Sequence, residues 1–100
     1  MFPHEKLQVY SKALQFTAKA AAWTSSWDTK HAVVDQLLRA AESIVLNLAE
    51  AARQQGAPRR LHTADCALGS TLECAACLDI ALIKEFLTRE QCHHEKSEIP

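Results

Sequence analysis

Apolar side chains recur every three or four positions along three long stretches of the chain, the spacing of an α-helix, and no segment alternates as a strand would. The clearest stretch is Gln36 to Ala51, read QLLRAAESIVLNLAEA. Val34, Leu37, Ala41, Ile44, Val45, Leu48 and Ala52 share one face there, and Arg39, Glu42, Glu50 and Arg53 the other. Leu46 falls among the charges, and Ala40, Asn47 and Ala51 form a flank of small residues, so the apolar arc is wider than a simple surface helix needs. The pattern predicts helices over about 4–23, 29–55, 59–86 and 89–98.

The first and third stretches are two-faced. In the first, Leu7, Tyr10, Leu14, Thr17 and Ala21 make one stripe, and Val9, Ala13, Phe16, Ala20 and Trp23 a second. In the third, Leu61, Ala64, Leu68, Leu72, Ala75, Leu82 and Phe86 form the larger stripe and are expected to face the core. Opposite them lie the small Cys66, Ser70, Cys74, Cys77 and Ala81, which would let another helix approach closely. Asp28 or Thr29 is suited to cap the second helix, Gly56 to end it in a left-handed conformation, and Pro58 to prevent its continuation. Thr88 with Gln91 reads as a capping box opening a short last helix. Trp27 is placed to close the bundle end, whereas Trp23, on the second stripe, is expected at an interface. The expected fold is all-α: an up-and-down antiparallel bundle of three long helices and a truncated fourth, one domain over residues 1–100.

Composition narrows the function classes. A formal net charge of −1 excludes binding of nucleic acid through bulk electrostatics and leaves only a local patch. The opening Met-Phe-Pro-His-Glu-Lys has no basic start followed by an apolar run, and nowhere do about 18 apolar residues follow one another, so a soluble cytoplasmic protein with no membrane partner is expected. Its four cysteines are then expected to stay reduced.

Three ordered motifs carry a family resemblance. Gln36, Leu37, Arg39, Ala40, Ala41, Ser43, Ile44, Asn47, Leu48, Ala49 and Glu50 resemble the second-helix signature of the bacterial four-helix-bundle proteins that include the 23S rRNA intervening-sequence proteins. His4-Glu5-Lys6-Leu7-Gln8-Val9-Tyr10 is similar to their first helix. Ala67-Leu68-Gly69-Ser70, Glu73-Cys74-Ala75-Ala76 and Leu78-Asp79 are similar to their third. The resemblance implies a homo-oligomer, commonly a pentamer, encoded in some bacteria within inserts of the large rRNA gene. A related branch, the accessory variability determinant of diversity-generating retroelements, partners a reverse transcriptase and its RNA. Two departures stand out: Ala51 replaces the Gly that usually follows the Ala-Glu pair, and Cys92 to Ser97 is polar where a full fourth helix is usual, with only Ile99 able to extend a stripe. Part of the groove is then left for a neighbouring subunit or another protein to cover.

Candidate chemistry is sparse. Cys74-x-x-Cys77 has zinc-ligand spacing, with Cys92, His93 and His94 as the remaining ligands, but a helical pair is better read as small residues at a close helix contact, so neither metal nor cofactor is expected. His4, His31 and His62 have no recognisable catalytic partner, and Ser70 and Cys74 have no His or Lys placed to activate them. Glu73 and Asp79 diverge around the helix, so neither an enzyme nor a small-molecule substrate is expected. Arg53, Arg59, Arg60 and His62 concentrate positive charge at the turn between the second and third helices and form the nucleic-acid candidate. Val9, Phe16, Trp23, Arg39, Leu46, Asn47, Glu50, Cys66, Ser70, Cys74 and Cys77 form the oligomer-interface candidate, with Arg39 and Glu50 pairing around Asn47. Two readings follow: an oligomeric RNA-associated accessory protein, or a protein-interaction scaffold without a nucleic-acid role.

Overall fold

The computed structural model describes residues 4–53 and 56–100, with side chains from Gln8 onward except those of Gln54, Gln55, Ala57 and Leu61. Four helices follow one another among the described residues: α1 (His4–Thr24), α2 (Ala32–Arg53), α3 (Ala57–Ile83) and α4 (Arg89–Ser97). The 27 residues of α3 span about 40 Å at the helical rise. The longest dimension of the molecule is 43 Å, so the long helices lie along it and each short connection reverses the chain. α2 packs between α1 and α3, and α4 rests on α3.

The central helix largely follows its periodicity: Val34, Leu37, Ala41 and Ile44 are buried, Val33 and Ala40 join them, and Ala52 near its end is exposed. The outer helices do not. On α3 the small stripe is inside: Cys74, Cys77, Leu78 and Ala81 are at most 1% exposed, whereas Leu68 and Leu72 of the larger stripe are 57% and 63% exposed. On α1 the second stripe is likewise inside, with Ala13, Phe16 and Ala20 buried and Leu14 outward. Closeness explains the choice. Ala40 and Ala41 of α2 share the core with Cys74 and Cys77 of α3, and short side chains let the two helices approach until Ser70 Oγ donates to Ser43 Oγ at 2.8 Å. Leu61 and Leu7, also placed on the larger stripes, lie outside the described side chains.

Helix ends show local chemistry that periodicity does not carry. Asp28 Oδ1 accepts from Lys30 N at 3.0 Å and closes a turn ahead of α2, so neither Asp28 nor Thr29 caps a helix that starts only at Ala32. Gly56 is extended (φ −90°, ψ 135°) and is the N-cap of α3, with Pro58 in its first turn. The Gly-Ala-Pro segment therefore opens α3 rather than supplying a left-handed stop for α2. At the other end of α3, Phe86 N donates to Ala81 O and Glu85 N to Leu82 O. That is the Schellman pattern, and its left-handed position is held by Glu85 at φ 62°.

Thr88 and Gln91 form the expected capping box, each side chain bonding the other's backbone N–H. α4 is less polar toward the bundle than its composition suggests. Cys92 and Glu95 are buried and Ile99 packs on the core, which gives an inward stripe at i, i+3 and i+7. Trp27 closes the bundle end as expected, stacked on Phe86 with ring centroids 5.2 Å apart, while His31 meets Phe86 edge-on. By length and composition alone, α3 is apolar enough to cross a membrane. Glu73 and Asp79 interrupt it, and its buried side packs on α2 as a bundle helix does.

Candidate nucleic-acid interface

The turn that reverses the chain from α2 to α3 brings Arg53 to the same end of the bundle as Arg59, Arg60 and His62, and all four are exposed. Their electrostatic roles differ. Arg53 makes a two-point contact with the Glu50 carboxylate, at 2.8 and 3.0 Å, so much of its charge is already answered within α2. An exposed pair of this kind contributes little to stability. Arg59 and Arg60 stand in the first turn of α3, where no acidic residue is present and no side chain caps the helix. Free N–H groups at a helix start favour an anion, and the two guanidinium groups add to that field. His62 Nε2 lies 3.8 Å from the exposed Cys66 Sγ, one helical turn on.

The interface candidates separate into two groups. Phe16, Cys74 and Cys77 are core residues, each about 1% exposed, and their assignment to an interface is corrected by that burial. Trp23 is half-buried and meets Phe16 edge to face at 6.0 Å, inside the subunit. Arg39 pairs with Asp35 at 3.1 Å on the exposed face of α2. Asn47 Nδ2 donates to Ser43 O at 2.8 Å and to Ser43 Oγ at 3.0 Å. Ser43 Oγ in turn receives Ser70, so the Asn47 amide steadies the α2–α3 contact rather than an Arg39–Glu50 pair. Outward-facing candidates are Val9, Leu46 and Cys66, with Leu46 68% exposed.

Sequence reasoning missed a depression between α1 and α2. Leu14, Thr17, Glu42, Val45 and Leu46 line an open hollow of about 300 Å³. Leu46 among charges is its signal in the sequence, whereas Leu14 shows there only as one member of the first stripe of α1. Three of the four cysteines are interior. Burial pushes the Cys74 thiol up to about 12, with Cys77 and Glu73 adding to the effect. Burial, then Glu73, raises Cys77, and burial, then Asp79, raises Cys92. Cys92 Sγ donates to Leu78 O at 3.4 Å, while His93 and His94 face solvent. Among the described residues, no three His, Cys, Asp or Glu side chains gather in a metal-binding group.

The family model described as 23S rRNA-intervening sequence protein matches residues 5–99, nearly the whole chain. The chain belongs to that family. Its fold is also that of a solved protein of unknown function from the S23 ribosomal protein family of Bacteroides thetaiotaomicron VPI-5482, at TM-score 0.85 and 23% identity, covering 93% of this chain and 86% of that one. No curated protein matches.

Proposed function

We infer that this member of the intervening-sequence family is a non-enzymatic, oligomeric accessory protein of the cytoplasm that holds RNA through the α2–α3 end of the bundle. The observation that carries this reading is the uncapped start of α3 with Arg59 and Arg60 in its first turn, on a chain whose net charge is only −1. One such patch makes few phosphate contacts. Repeated around an assembly, for which the family resemblance suggests a pentamer, it would bind by multivalency. A protein-interaction scaffold is the second reading, favoured by the exposed Leu46, Leu68 and Leu72.

Light scattering on size-fractionated protein at two salt concentrations, with absorbance at 260 and 280 nm across each peak, tests both. The expected result is a defined oligomer carrying RNA that high salt removes and that Arg59→Ala/Arg60→Ala protein no longer retains. A nucleic-acid-free oligomer would favour the scaffold. RNA retained equally by the double variant would reject the assigned surface, and a monomer would remove the assembly from either reading.

A further inference from the structure

Glu95 lies on the inner side of α4 at 9% exposure, and its Oε2 has no hydrogen-bond partner among the described residues. Cys92 and Ile99, one turn to either side, both pack on the core. Charges reach it from Lys19 on α1 and from His94 and Glu98 on α4 itself. On α3, the Asp79 carboxylate is held by Lys96 at 2.9 Å. α2 contributes Val33, Val34 and Leu37 to this core. The seat of α4 is slight: nine residues, a thiol bond from Cys92 to Leu78 O, and one exposed ion pair.

We propose that α4 is a proton-sensitive strap, closed over the apolar face of α3 when Glu95 carries a proton and loosened when Glu95 ionises. A carboxylate with one oxygen taken from water without a donor disfavours charge. Burial accordingly raises the Glu95 pKa, with Lys19 and then His94 acting against it. The closed state therefore binds the proton more tightly than the open one. Closure is strongest below the pKa of the free acid and weakens as pH rises through the raised value. Opening would free Cys92 from Leu78 O and uncover the part of α3 on which α4 rests, beside the Asp79–Lys96 pair.

Cys92, 3% exposed, reports opening, and the exposed Cys66 supplies an internal reference for the pH dependence of the reagent. Pulsed alkylation of the folded full-length protein, read by peptide mass spectrometry, gives the Cys92/Cys66 labelling ratio between pH 5 and 8. That ratio is expected to rise several-fold with pH, about tenfold for each unit by which closure raises the acid, and to stay low and flat in Glu95→Gln. The control also removes His94 as an explanation, because Glu95→Gln leaves that imidazole in place. A flat wild-type ratio, or a Glu95→Gln protein that follows the wild type, would overturn the proposal. Should Glu95→Gln lose its helical signal, Lys19→Met provides the second arm. Removing that positive charge should raise the ratio at neutral pH, and an unchanged ratio would count equally against the strap.

Discussion

Glu85 offers the sharpest test of how this chain ends its longest helix. It occupies the left-handed position of the Schellman pattern after α3 at φ 62°, its side chain is exposed, and its backbone N–H bonds Leu82 O. An L-residue in that region costs about 1–2 kcal/mol from Cβ crowding. Glycine escapes that cost but gives back about 0.5–1 kcal/mol through the greater freedom of its unfolded chain. Glu85→Gly should therefore stabilise the fold by about 0.5–1 kcal/mol, which raises Tm by about 2–8 °C for a domain of this size. Removing a carboxylate from a helix C-terminus also helps, so Glu85→Ala is the control: it deletes the charge and keeps the Cβ. Thermal unfolding followed by circular dichroism should order the proteins glycine above alanine, with asparagine between them. Glycine no more stable than alanine would mean that the left-handed turn is not where strain resides, and the account of this helix end would fail.

Two other perturbations test the packing. Leu78→Ala, at a fully buried position of α3, should cost about 2–5 kcal/mol in urea unfolding, whereas Leu72→Ala, 63% exposed, should stay within about 0.5 kcal/mol for the isolated subunit; a larger cost at Leu72 than at Leu78 would mean that the stripes of α3 are assigned the wrong way round. With a thiol reagent at pH 8, Cys66 should react at once and Cys74 only on unfolding. Because burial raises Cys74 from 9.0 to about 12, its contribution to stability is whole below 9.0 and is lost as pH climbs toward 12, as the unfolded thiol ionises first. Labelling of Cys74 at the rate of Cys66 would refute its burial.

Periodicity located the helices because spacing survives whatever the partner is. It could not say which of two stripes faces inward. On α3 the larger side chains suggest the core, yet Cys74, Cys77 and Ala81 are inside, sharing it with Ala40 and Ala41 of α2 where Ser43 meets Ser70, and two small surfaces can come closer than two large ones. The Gly56–Pro58 pair was legible as a break but not as a start, since glycine's permissiveness serves either end of a helix. The arginines of the candidate interface could be read directly, as charges at a turn. The pairing of Arg53 with Glu50 was not, although a spacing of three on one helix permits it. Nothing in the polar run of α4 announced that Cys92 and Glu95 would be its inner face.

The same inversion bears on assembly. The largest side chains fully enclosed by this subunit are Phe16, Leu37 and Leu78, followed by cysteines. Val9, Leu14, Leu46, Leu68, Leu72 and Ile83 meanwhile stand 40–80% exposed, on all three long helices. Each forgoes, in proportion to its exposure, part of the about 1.5–3 kcal/mol that full burial of such a side chain returns. A small domain already buries a modest share of its surface, so a thin interior of small residues is a weak foundation alone. The exposed residues are not scattered at random: Leu14 and Leu46 meet at one hollow between α1 and α2, and Leu68 and Leu72 stand one helical turn apart on α3. If the proposed oligomer is a ring, in which each copy contacts two neighbours, these two grouped apolar faces are the surfaces it would cover. On the proposed RNA-holding reading, the arginine end at Arg59 and Arg60, away from Leu14, Leu46 and Leu72, would stay open in such an assembly.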